Sequence, residues 1–365
     1  MRAEFGIFLT SLIPFPLTYI LNTQQWMLNP NIVLVIGVIV LTLLVVLPSY
    51  LLRGTDKPEF ILYVMSLFMF ASMIDLIIAL EADGILSEFM TFYLKEGEPY
   101  LWTPYGTMIN YWDGTVHYSL CLWMLYCIYK RKSYRHVGLY WAGSIVNSLL
   151  VLVPGSILGK FGVKWAILLN LPYLFVPVWI AYRLLITRGN MAEKTSVTRS
   201  NSHGLFRKVL DIIFIVYFLY ATIVDLLRGF IALGCQHELL QEYLYDHEPY
   251  INSPFAYSKV QMILYLMYFI PYYCFAIYGI INPGQPWMLD WALIYAGAAA
   301  QGQFSHIGGS IHPRTEPEYL VPSRPHSQQI FWLLNITLFI IPQLFALRTY
   351  LVSRPNNKKS RSKIN

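Results

Sequence analysis

Cysteine is nearly missing from this chain, with four in 365 residues. Cys121, Cys127, Cys235 and Cys274 fall within or at the ends of apolar runs, and none forms a CxxC pair. That pattern supports neither a disulfide framework nor a cysteine metal site. Charge is thin as well: 13% of residues are charged against 56% hydrophobic, with a mean hydropathy of +0.48. Such a balance excludes a soluble globular protein. A cleavable leader is not supported either, because Arg2 is the sole charge at the start, Pro14 and Pro16 interrupt the first apolar run and no small-x-small site follows.

What is present is membrane. Runs long enough to cross a bilayer are predicted at 5–22, 32–53, 60–80, 107–129, 138–158, 164–186, 208–234, 259–281, 288–308 and 329–351. The formal charge of +6 is unevenly spread. Lys130, Arg131, Lys132 and Arg135 fill one short loop, six cations from Arg183 to Lys208 surround another, and Arg354 to Lys363 line the tail, whereas the loops at 81–106 and 235–258 are acidic. The positive-inside rule places the basic regions and both ends in the cytosol. The basic clusters read as topology signals rather than as lipid or nucleic-acid sites. The sequon Asn335-Ile-Thr337 falls inside a predicted span, beyond the reach of glycosylation.

The chain repeats itself. Ala71–Leu80 (ASMIDLIIAL) recurs as Ala221–Phe230 (ATIVDLLRGF), and a Glu-Pro-Tyr follows Asp75 and Asp225 by 23 residues, at Glu98 and Glu248. Trp141 and Trp291 share the 150-residue offset; Pro154-Gly-Ser-Ile parallels Gly308-Gly-Ser-Ile; Asn170 precedes Pro177 as Asn335 precedes Pro342. The predicted organisation is an N-terminal helix pair (1–58), a first unit (60–186), a polar linker (187–207), a second unit (208–351) and a basic tail (352–365). Each unit holds four spans, so both copies enter from one side, unlike inverted-repeat transporters. The expected fold is an all-α polytopic membrane protein of about ten helices.

A carboxylate in hydrocarbon costs at least a few kcal/mol. Asp75 lies roughly 8 Å below the acidic-side end of its span at 1.5 Å per residue, with no basic residue at 71, 72, 78 or 79. Asn110, Asp113 and His117 are spaced i, i+3, i+7 on one helix face, and Asp113 and His117 can pair as carboxylate and imidazole. With Glu98 from the preceding loop, three carboxylates and an imidazole converge, a group suited to an amine or hydroxyl head or to proton movement, or else to a structural network locking helices together. Asn170 beside Pro172 can recap a freed carbonyl or face a ligand. In the second unit Asp225 has Arg228 three residues on, Asp113 is matched by Ile263 with Gln261 nearby, and the ninth span carries Gln301, Gln303, Ser305 and His306. That unit reads as scaffold. No metal or cofactor is expected.

Four segments, 89–101 (FMTFYLKEGEPYL), 111–118 (YWDGTVHY), 138–141 (GLYW) and 303–307 (QFSHI), resemble the transmembrane 6 superfamily, whose members carry two tandem EXPERA domains behind a helix pair. The resemblance implies a membrane protein of the endoplasmic reticulum and ER–Golgi intermediate compartment, with a lysosomal branch as the alternative. It implies influence on triglyceride-rich lipoprotein lipidation and secretion and on lipid-droplet content. Arg361 and Lys363 resemble a retrieval signal. The wider EXPERA group includes emopamil-binding protein, a sterol delta8–delta7 isomerase, and the sigma-2 receptor. By that likeness Asp75, Glu98, Asp113 and Asn170 belong to the ligand site; Asn110 and His117 join it by their helical spacing, Tyr173 is a further candidate, and Asp225, Glu248, Gln261, Gln301 and Asn335 are the second-copy counterparts. The isomerase's His and Glu, four residues apart in its first helix, are not present around Asp75. The leading expectation is a lipid- or sterol-binding protein without turnover, its partners membrane lipids or sterols and lipoprotein-assembly or lipid-synthesis proteins, not nucleic acid. The rivals are an isomerase with Asp113 and His117 as acid, and a lipid or ion-coupled transporter.

Overall fold

With no water to satisfy its polar groups, backbone in hydrocarbon closes its hydrogen bonds within helices, and the chain is helical nearly throughout. The computed structural model describes residues 3–24, 29–51, 60–192 and 205–353. The linker expected at 187–207 and the tail at 352–365, with its retrieval-like signal, lie largely outside those residues. The helices are α1 (Ala3–Thr10), α2 (Pro14–Asn22), α3 (Pro30–Leu51), α4 (Phe60–Ala82), α5 (Pro104–Trp112), α6 (Tyr118–Tyr129), α7 (Arg135–Leu158) and α8 (Leu171–Ala192), followed by α9 (Leu205–Ala232), α10 (Glu238–His247), α11 (Tyr257–Leu264), α12 (Ile270–Ile281), α13 (Met288–Ile311) and α14 (Pro325–Ser353). Among the described residues eight helical stretches are long and apolar enough to span a bilayer. The α5–α6 pair and the polar-cored α13 complete two four-helix units, α4 to α8 and α9 to α14.

Three predicted elements take a different form. The first span is broken at Ser11–Ile13, where Pro14 and Pro16 cannot donate to a continuing ladder. The span at 107–129 is interrupted by a π turn, Asp113–His117, and the second unit has the same interruption at Tyr265–Phe269. The acidic loop at 81–106 is no loose connection: it carries a π turn (Tyr93–Gly97) and a 3-10 turn (Pro99–Trp102) that sink Glu98, Tyr100 and Leu101 into the protein.

The two units meet along α7 and α13. A methyl group on Gly143 would lie 2.0 Å from the Ile294 carbonyl oxygen, and one on Gly297 would lie 2.1 Å from that of Tyr140. Each contact falls three residues before the facing glycine, so the crossing is reciprocal, as expected of two copies related by a pseudo-two-fold axis. Small residues let helices in lipid approach closely enough for dispersion to hold them. Asn147 Nδ2 donates across the seam to Gln301 Oε1 (2.6 Å) and Gln261 Oε1 (3.1 Å). Arg135 donates twice to Asp290 at the basic end (2.7 and 2.8 Å). At the acidic end Arg314 donates to Asp83 (2.8 Å), beside His312, whose imidazole burial holds below its ordinary pKa despite the Asp83 carboxylate.

This crossing changes one expected match. Gly143, Asn147 and Pro154 pair with Gly297, Gln301 and Gly308 at an offset of 154, so the partner of Trp141 is Tyr295. Phe68 packs edge-on against Trp141 (4.8 Å), while Phe218, its match, packs against Tyr295 (6.3 Å). Trp291 is 40% exposed and occupies no equivalent place.

Leucine at Gly143 or Gly297 would drive a branched side chain into backbone, where overpacking costs typically 1–3 kcal/mol or more. Either G143L or G297L is expected to lower the melting temperature of detergent-purified protein and broaden its size-exclusion peak; an unchanged melting curve would show that the close crossing is not needed.

Candidate functional site

In the first unit the polar residues predicted from sequence surround a cleft. Asp75, Glu98, Asn110, Asp113, Asn170 and Tyr173 all line it. Its empty volume is about 1190 Å³ with the partly open mouth included. Most of the wall is apolar, and much of it comes from the N-terminal helices: Leu17 and Leu21 of α2, and Val33, Gly37 and Leu41 of α3. The helix pair expected to stand outside the repeat therefore closes one side of the site. Sequence pattern holds no sign of this, because α3 is apolar on every face.

Each acid is placed by a local feature. Glu98 is carried inward by the 3-10 turn that Pro99 starts. It accepts hydrogen bonds from the Tyr93 hydroxyl (2.8 Å), the Tyr100 hydroxyl and Asn170 Nδ2 (2.5 Å). Burial raises the pKa of its carboxyl, and the three donors offset only part of that rise. Asp75 sits on α4 with no hydrogen bond or ion pair among the described residues; its accessible surface faces the cleft. Asp113 opens the π turn, whose Gly114 lies so close to α4 that a methyl there would be 2.8 Å from the Leu76 Cα. Asn110 Nδ2 is buried and has no partner.

His117 does not share the cleft face with Asn110 and Asp113 as the helical spacing predicts. The wider π turn swings it behind the wall, where Nε2 bonds Ser144 Oγ (2.7 Å). Ser144 Oγ also accepts from Trp112 Nε1 (2.9 Å). His117 Nδ1 lies 2.7 Å from Asp113 Oδ1, yet without the alignment of a directed hydrogen bond. Ser144 was not a sequence candidate. Tyr93 could have been, since Tyr243 precedes Glu248 by the same five residues.

The second unit keeps the same frame and fills it. Glu248 accepts from the Tyr243 hydroxyl (2.6 Å), from Asn335 Nδ2 (2.9 Å) and from Arg228, through Nε (2.8 Å) and Nη2. Arg228 Nη2 also donates to Asn335 Oδ1 (2.9 Å), and His306 Nε2 lies 3.2 Å from Glu248. Arg228 thus serves Glu248 and Asn335, not the Asp225 on its own helix. Asp225 accepts instead from the Tyr273 hydroxyl (2.7 Å). Burial alone would raise the pKa of Glu248, but Arg228 and His306 hold it well below the usual range. The position of Arg228 is Ile78 in the first unit and that of His306 is Leu152, both in the cleft wall.

The remaining second-unit candidates do not join this group. Gln261 and Gln301 bond Asn147 at the seam. The residue matching Asp113 is Tyr265, not Ile263, because two extra residues before α11 shift the register and both π turns begin at these positions. The string Asp113–His117–Ser144 therefore corresponds to Tyr265, Phe269 and Ala298, which carry no ionisable acid or base near neutrality. Among the described residues no group of three His, Cys, Asp or Glu side chains could hold a metal.

Two tandem four-helix units behind a helix pair, one open with an acidic end and one closed by its own arginine, define a multi-pass membrane protein of EXPERA type. Residues 13–195 match the domain described as "Transmembrane 6 superfamily member 2-like, transmembrane domain", and residues 235–349 match "EXPERA (EXPanded EBP superfamily)". Transmembrane 6 superfamily member 2 of mouse is 40% identical over 342 residues, covering 93% of this chain and 90% of the relative; the human protein is 39% identical over the same shares. The chain belongs to the transmembrane 6 superfamily. No solved structure matches it.

The two glutamates give opposite pH responses. Glu248, with its pKa lowered on folding, stabilises fully above its unfolded value near 4.3 and loses this as pH falls towards the folded value. Glu98, with its pKa raised, favours folding at low pH and weakens it as pH climbs through the raised value. Glu98→Gln is thus expected to leave the melting temperature at pH 7 unchanged or higher. Arg228→Met, which strands a buried carboxylate, is expected to lose about 3–5 kcal/mol. A melting temperature at pH 7 unaffected by Arg228→Met would contradict the assignment.

Proposed function

We propose that the first unit binds a membrane lipid or sterol, and that through it the protein regulates lipid handling in the endoplasmic reticulum membrane, including lipoprotein lipidation and lipid-droplet content. One observation carries this reading: a partly open, largely apolar cleft walled in part by α2 and α3 brings together Asp75, Glu98 and Asp113. Clefts of roughly 300–1,000 Å³ with apolar walls and a few convergent polar groups are what small ligands occupy. An end rich in acceptors favours a head that donates, a hydroxyl or an ammonium. The second unit supports that polarity, since its matching glutamate and asparagine hold a guanidinium.

Binding fits the arrangement better than turnover. The imidazole nearest Asp113 stands behind the cleft wall, and Asp75 lacks the His and Glu neighbours of the sterol isomerases.

Lipids that co-purify with the detergent-extracted protein would test the reading. Wild type is expected to retain a lipid class that Asp75→Asn/Asp113→Asn loses. Ile78→Arg, which gives the first unit the arginine of the second, is expected to lose the same class while staying folded. Identical lipid profiles in all three proteins would end this proposal.

A further inference from the structure

The second ion pair of the second unit is also broken in the first, at the basic side of the membrane. Arg348 on α14 is ion-paired with Asp211 on α9. By the offsets that relate Asn335 to Asn170 and Asp225 to Asp75, these positions are Arg183 and Ile61. The arginine persists, and an isoleucine stands at the position of its anion. Ile61 and Arg183 line a second cavity, with an empty volume of about 1450 Å³ including its open mouth.

Two further cations face that cavity, Arg131 and Lys132. They come from the loop that sequence alone explains as a topology signal, yet its four cations behave differently. Lys130 lies over the Tyr126 and Tyr129 rings, and Arg135 is bound to Asp290. Arg131, Lys132 and Arg183 have no carboxylate partner among the described residues. Arg131 holds a left-handed backbone (φ 53°), in a cap where Lys132 N donates to Cys127 O (2.7 Å). Glycine is usual at such a position, and a side chain kept there despite the strain points to use. The corresponding loop of the second unit, 282–287 (NPGQPW), has no cation. Topology alone gives no reason for this difference between two loops on one side.

Ser133, Tyr134 and Thr187 add polar groups to the lining, and the remaining wall, with Phe60, Ile61 and Trp179 in it, is apolar. The Arg183 guanidinium stacks over Trp179 (5.3 Å), which packs edge-on against Phe60 (4.5 Å). Phe60 and Trp179 are themselves exposed. A free anion gains nothing from such a wall, whereas an acyl chain does.

We propose that this cleft binds a phosphate-bearing anionic lipid headgroup of the basic-side leaflet, the phosphate taking the place that Asp211 fills in the second unit. The site is separate from the acidic cleft and does not rest on the function proposed for it. Basic pockets between helices on the cytosolic side are suited to phosphorylated heads, and arginine's fork to phosphate oxygens.

The test is a thermal-shift titration of full-length protein in neutral detergent. Dioctanoyl phosphatidylinositol 4-phosphate and phosphatidic acid form one arm; inositol phosphate and inorganic phosphate, which lack chains, form the other. Wild type is expected to be stabilised by the lipids at concentrations where the soluble anions have no effect. Arg183→Gln and Arg131→Gln are each expected to weaken the apparent affinity about fivefold. Ile61→Asp, which supplies the missing anion from within, is expected to abolish the shift without lowering the ligand-free melting temperature. Equal shifts in wild type and all variants would overturn the proposal. So would stabilisation by soluble anions matching that by the lipids, which would mean an anion site with no use for the membrane.

Discussion

A charge carried into hydrocarbon needs a counter-charge, a proton or a ring of donors, and the two halves of this molecule meet that demand differently. In the second unit Arg228 joins Glu248 and Asn335 at one end of the helices, and Arg348 joins Asp211 at the other. In the first unit one member of each pair is an isoleucine: Ile78 replaces the cation and Ile61 the anion. The surviving charges, Glu98 and Arg183, each sit beside an open cavity. One copy pairs its charges internally, and the other leaves them beside open space.

That division depends on a rigid frame. The reciprocal approach of α7 and α13 at Gly143 and Gly297 brings the copies within backbone contact, with the Asn147–Gln301 bond close by. Arg135–Asp290 and Arg314–Asp83 tie the seam at its two ends. The copies therefore share one packed seam, and the closed unit lies directly against the open one. The π turn at Asp113 does the same on a smaller scale: with Gly114 against α4, it sets Asp113 near Asp75 and turns His117 away.

Much of the acidic cleft was legible in the chain. Acids at matched offsets within apolar runs announce themselves, because a residue so expensive in lipid stands out against leucine and isoleucine. Six of the seven ligand candidates line the cleft together. The failures share one cause, which is register. A π turn moved His117 to the far side of its helix, and two extra residues before α11 made Tyr265 rather than Ile263 the match of Asp113. Trp291 agreed with Trp141 only in number. Offsets counted along a chain ignore how many residues each turn consumes.

By itself, the sequence determined the membrane setting, the helical class and the duplication, since hydrophobic length and repeated polar landmarks are properties of the chain. The pairing of Glu98 with Asn170, and of Glu248 with Asn335, is a contact between distant segments that those landmarks did not announce. Only the tertiary structure decided which unit is open, that α2 and α3 wall the cleft, and that Arg228 reaches Glu248 rather than Asp225. Emptiness belongs to no single residue. It is what remains after side chains from distant helices have packed, and an apolar helix such as α3 carries no mark of the neighbour it will cover.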